Sequence, residues 1–228
     1  MQTRASFSGL SYGHFLAIHI CLAATLGLFL LVRTASAATL VHRYPFESNA
    51  NDVIGSMNGV VMGGATFDEA GGLLLDGTND CVKLPAGIIS DLDEVSVEAW
   101  VTWQRGTKPY WQRIFDFGNY AGNSGRTYFF LTPATALDWA SLPDWMRASI
   151  STNGPTAETP WLDLRMPMPT NVETHVAVTY SPALGMAKLY LNGVAVATGV
   201  ATIPLGHITD TNNWLGKSAA QVFFCKML

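Results

Sequence analysis

The stretch VSVEAWVTWQ, residues 95–104, constrains the fold more than any other part of the chain. Val95, Val97, Ala99, Val101 and Trp103 fall on one side of an extended backbone, and Ser96, Glu98, Trp100, Thr102 and Gln104 on the other. That alternation is the period-two signature of a half-buried β-strand. Similar short runs recur at 40–46, 72–77, 81–85, 113–118, 126–132, 146–152 and 174–180. In AKLYLNGVAVAT, 187–198, Asn192 and Gly193 both tolerate positive φ, which predicts a hairpin closed by a type I′ turn. Helical spacing hardly appears beyond residue 37. Many short strands separated by Gly, Asn, Asp and Pro clusters predict an all-β fold of two antiparallel sheets packed face to face around one core. A composition of 49% hydrophobic and 13% charged residues with 21 glycines suits a folded, sheet-rich chain.

The N-terminus reads differently. Leu16 to Val32 is an apolar run after a weakly basic stretch, and Ala35-Ser36-Ala37 supplies small residues for cleavage, which is the pattern of a secretory signal helix. The run is long enough that an uncleaved membrane anchor is the alternative, and in both cases the remaining chain is expected outside the cytosol, secreted or at the cell surface. The expected organisation is therefore a signal peptide at 1–37, a β-sandwich at 38–218 and an atypical tail at 219–228. Residues 1–37 hold Arg4 and Arg33 and no acid, so their removal takes the formal charge from −4 to −6. An acidic domain has no electrostatic reason to bind nucleic acid or anionic lipid.

Two loops, 132–145 and 153–170, exceed what a minimal sandwich requires, and loops of that length carry function or mobility. They hold Trp139, Trp145 and Trp161, candidate ligand-binding residues whose flat faces would stack on sugar rings if they project; folded back, they would instead cover sheet edges. Candidate catalytic residues are none. Beyond residue 37 there is no G-x-S-x-G, no H-E-x-x-H, no phosphate-binding glycine loop and no Cys/His zinc spacing. Glu98 has no acidic neighbour at 96 or 100, so the alternating carboxylates of a retaining glycosidase strand are missing. His42, His175 and His207 are scattered in sequence. Beyond the signal, Cys81 and Cys225 form either a disulfide or two unrelated thiols, the first a small buried hydrophobe.

In order, HRYPFESNANDVIGSMNGVV, LDGTNDCVKLP, VSVEAWV, RIFDFGN, THVAVTY, LYLNGVAVAT and WLGKS make the chain from about 40 to 218 resemble the laminin-G-like branch of the concanavalin A-like lectin/glucanase superfamily. Its opening has the form F-(D/E)-x-N-A-x-D-x-x-G, and Cys81 stands where an aromatic is usual. The resemblance implies a jelly-roll sandwich. It also implies a place for structural Ca2+ in ESNAND, 47–52, with Glu47, Asn49, Asn51 and Asp52 as candidate ligands; an Asx-turn cluster without an ion is the competing reading. Domains of this type continue after W-L-G-x-S into a closing strand G-x-I-D-E-(V/F)-R-I-Y beside the first strand, whereas this chain has AAQVFFCKML. The expectation is a truncated or altered end that leaves the 40–46 strand unpaired, unless QVFF substitutes. The implied role is non-catalytic recognition of carbohydrate or of an extracellular protein surface, with a spacer module and a glycoside hydrolase as alternatives.

Overall fold

The computed structural model describes residues 38–69, 71–106, 110–119, 126–135, 144–219 and 225–227. The chain divides into two compact units, 1–40 and 41–228, and every strand named here lies in the second. The apolar run at 16–32 and its expected helix lie outside the described residues, among which no helix is long and apolar enough to cross a membrane.

The strands are β1 Val60–Met62, β2 Thr66–Phe67, β3 Leu73–Asp76, β4 Cys81–Leu84, β5 Val95–Thr102, β6 Phe115–Gly118, β7 Tyr128–Thr132, β8 Met146–Ser151, β9 Leu162–Leu164, β10 Glu173–Ser181, β11 Met186–Leu191, β12 Val194–Gly199, β13 Asn212–Leu215 and β14 Lys226–Met227. All pairings are antiparallel. Seven strands make one sheet in the order β1-β4-β13-β6-β7-β8-β9, and four make a second in the order β12-β11-β10-β5. Alternation decides what each buries. Phe115, Phe117, Phe129, Leu131, Ala148, Ile150 and Leu162 of the larger sheet share a core with Val101, Val176, Val178, Tyr180, Ala187 and Leu189 of the smaller. The Phe129 and Tyr180 rings meet across it with centroids 5.8 Å apart.

The expected alternation along β5 is observed: Val101 and Trp103 are buried, while Ser96, Glu98 and Trp100 are exposed. The predicted hairpin is β11–β12, with Asn192 at φ 48° and Gly193 at φ 78°, the two left-handed positions that a type I′ turn requires.

Three expectations are corrected. Among the described residues the sheets number three, because β14-β3-β2 forms a small sheet whose strands pair with one another and extend neither of the two large ones. Residues 40–46 form no strand; no ladder partner is present among the described residues, and the segment is held instead by a loop bond from the Val53 N–H to the Arg43 carbonyl. The loop expected at 153–170 contains β9, since Leu162 and Leu164 alternate around Asp163 in register with β8. QVFF lies outside the described residues. The tail segment that does pair is β14, and it pairs with β3, through Lys226 with Asp76 and Met227 with Leu75.

Candidate functional site

The face of the seven-stranded sheet turned away from the core is built from the alternate residues of the same strands. Register aligns Trp214 with Asp116, Asp116 with Phe130 and Phe130 with Ser149, a row running from β13 to β8. One register step along, Arg147 of β8 stands opposite Asp163 of β9. This face is rich in arginine, carboxylate and indole, whereas the opposite face is apolar. That contrast locates the candidate site.

Arg147 is its centre. Nε lies 2.6 Å and an Nη 2.8 Å from the two oxygens of Asp163, a bidentate pair, and the other Nη lies 3.6 Å from Oε2 of Glu158. Its guanidinium stacks on Trp161 at 4.5 Å and approaches Trp111 at 5.9 Å. Trp161 itself is 58% exposed, so the guanidinium supports one side of the indole while much of the ring faces solvent. Trp111 reaches the face from a left-handed backbone position, φ 54°, an arrangement costing about 1–3 kcal/mol that surrounding packing must offset.

Behind this strip the face is buried. The Tyr128 hydroxyl donates to Oε1 of Glu158 at 2.9 Å, and Arg113 pairs with Asp116 at 3.3 Å while its guanidinium lies 4.0 Å from the Phe130 ring centroid. Burial raises the Glu158 carboxyl above its ordinary range against the pull of Tyr128 and the arginines. Burial likewise raises Asp116, opposed by Arg113. Asp116 Oδ1 and Ser149 Oγ, both buried, have no hydrogen-bond partner among the described residues.

Of the three tryptophans expected to bind ligand, Trp139 lies outside the described residues. Trp145 and Trp161 come to the same outer face, at opposite ends of the β8–β9 pair. Trp145 is half-buried, its N–H bonded to the Thr135 hydroxyl and its carbonyl accepting the Thr135 N–H, with the Arg165 guanidinium 5.6 Å from its ring. The residues between them, Arg147, Glu158 and Asp163, and the neighbouring Trp111, Arg113, Asp116 and Tyr128, were not singled out from sequence. The available signal was a charged residue inside each apolar run: Asp116 in FDF, Arg147 in MRASI and Asp163 in LDL. The acids of this face come from separate elements, which is why a search for alternating carboxylates on one strand does not find them.

The ESNAND loop has a different geometry. Asp52 is buried, and its Oδ1 accepts the N–H groups of Arg43, Ile54 and Gly55 at 3.0–3.1 Å. Its Oδ2 accepts the N–H of Met57 at 3.3 Å and lies 2.7 Å from Nδ1 of His42. Burial alone would raise this carboxyl, but the N–H groups and His42 outweigh it and hold it well below the usual carboxylate range. Donors aimed at an oxygen place positive charge where a cation would sit, so Asp52 as built does not fit a calcium shell. Asn49 accepts the Asn51 N–H at 2.9 Å, an Asx-turn, and Glu47, Asn49 and Asn51 are exposed. Among the described residues no three His, Cys, Asp or Glu side chains gather as a metal site. Cys81 and Cys225 are both buried free thiols.

Residues 76–225 match the laminin G family of the Concanavalin A-like lectin/glucanases superfamily, and the chain belongs to that family. No curated protein sequence matches it. Among solved structures, it resembles domain 4 of AbnA, a GH43 extracellular arabinanase from Geobacillus stearothermophilus, solved in complex with arabinotriose. That match has a TM-score of 0.62 at 21% identity and covers 84% of this chain and 90% of that one. It also resembles the CBM40 of the Ruminococcus gnavus IT-sialidase bound to α2,3 sialyllactose, with a TM-score of 0.48 at 19% identity, covering 61% and 74%. At 21% identity, what the arabinanase domain shares with this chain is the fold.

Proposed function

We propose that residues 41–228 form a non-catalytic carbohydrate-binding module of an exported protein, and that the strip Trp161–Arg147–Asp163 on the outer face of the large sheet is its binding surface. The observation that carries this reading is Trp161, 58% exposed and braced from behind by the Arg147 guanidinium at 4.5 Å. A rigid indole with solvent before it and a bidentate ion pair beside it offers an apolar platform for a sugar ring and acceptors and donors for its hydroxyls. The same overall fold in an arabinanase domain solved with arabinotriose supports the assignment to carbohydrate. The apolar run at 16–32 supports export, by cleaved signal or by anchor.

Glycosidase chemistry is the less supported alternative. It needs an acid free to reach the glycosidic oxygen, whereas Asp163 is clamped by Arg147 and Glu158 is held by Tyr128 and Arg147. Recognition of a protein surface is supported by Trp100 on the other sheet, 68% exposed beside His175 at 5.0 Å. A glycan array with a parallel hydrolysis assay tests the proposal: binding without turnover is expected, and Trp161→Ala should weaken it at least about tenfold, or ~1.4 kcal/mol. Silence on the array, or turnover of the bound sugar, would overturn it.

A further inference from the structure

Resting on the carbohydrate reading, we infer that this face selects uncharged sugars and discriminates against sialylated or uronate-bearing ones. The reason is how its arginines are committed. Recognition of an acidic sugar requires a guanidinium fork presented to the ligand carboxylate. Here all three nitrogens of Arg147 are directed at protein carboxylates, two at Asp163 and the third at Glu158. Arg113 spends Nε on Asp116 and one Nη on the Trp111 carbonyl, and the group is buried. Arg165, the remaining arginine of the β8–β9 pair, lies over Trp145 at the far end of the strip.

Beside Trp161, two carboxylates, Asp163 and Glu158, thus flank the single guanidinium of Arg147, while the other cations of this face sit at other rings, Arg165 over Trp145 and Lys217 over Trp214. A ligand anion arriving at Trp161 would meet Asp163 and Glu158 across a partly desolvated surface, and could gain Arg147 only by breaking its bidentate pair. Hydroxyl groups face no such obstacle. They donate to carboxylate oxygens, while the C–H face of the ring lies on the indole. The unpartnered Asp116 Oδ1 and Ser149 Oγ lie in the row beneath this strip, and neither adds positive charge to it.

The test is titration calorimetry of the full chain with matched pairs: lactose against α2,3 sialyllactose, and xylotriose against trigalacturonate. The uncharged member of at least one pair should bind at least tenfold more tightly than its anionic counterpart. Asp163→Asn, or Glu158→Gln if the first variant fails to fold, removes one negative charge and releases Arg147, and should narrow that preference about tenfold. Equal or tighter binding of the anionic sugars by the unaltered chain would overturn the inference while leaving carbohydrate recognition intact. So would a preference unchanged in both variants, or sugar binding indifferent to Trp161→Ala. No binding of any of the four sugars would overturn this inference, and silence on the glycan array as well would remove the carbohydrate reading with it.

Discussion

Asp52 shows how one side chain in a polar loop can be a structural keystone. Four backbone N–H groups and the His42 ring converge on its two oxygens, tying 42–43 to 54–57 in a segment without strands. Replacing it by Asn keeps the shape but substitutes an NH2 for one acceptor, so donors face donors; a loss on the order of 2 kcal/mol is expected by chemical denaturation. The folded-state value is depressed below the ordinary 3.8, so this stabilisation is present above about pH 4 and is lost as pH falls through the lower folded value. Unfolding curves from pH 5 to 2 should therefore show a decline that Asp52→Asn reduces; an equal decline in the variant would refute it. The loop's polarity was legible from its Asn and Asp content. That Asp52 takes N–H donors instead of offering oxygens outward was not, because the directions of five donors depend on backbone dihedrals that composition does not encode.

At the scale of elements, strands whose side chains alternate by neighbours in sequence were the legible ones. β5, β10 and the β11–β12 hairpin follow directly from period two and from Asn192-Gly193. The last residues did not follow. Cys225 and Met227 read as an appendage, yet both are buried: the Cys225 N–H bonds the Gly216 carbonyl at 2.7 Å, Met227 bridges to Trp103, and burial raises the Cys225 thiol. Met227→Asp should then cost about 2–4 kcal/mol in a thermal or denaturant melt, because it removes core contacts and buries a charge without a partner. A change within ~0.5 kcal/mol would show that β14 does not pack as described. Pairing of a two-residue strand with β3, 150 residues earlier in the chain, is decided by what surface is left open once the larger sheets form, and no local pattern announces it.

For the molecule as a whole, adding calcium or chelator should leave the melting midpoint unchanged if Asp52 keeps its N–H donors; a rise of several degrees with calcium would show that the loop rearranges to bind it. The alternation from Val95 onward, the Asn192-Gly193 turn and the ordered run of segments determined by themselves that this is an antiparallel β-protein of the laminin G family, since strand periodicity and turn dihedrals are properties of adjacent residues. Tertiary structure alone decided the third sheet, the burial of the C-terminal residues and the gathering of Trp111, Arg147, Glu158, Trp161 and Asp163 on one face. Those depend on long-range pairing, which brings together Trp111 and Asp163, 52 residues apart, on that face and strands 150 residues apart in the third sheet.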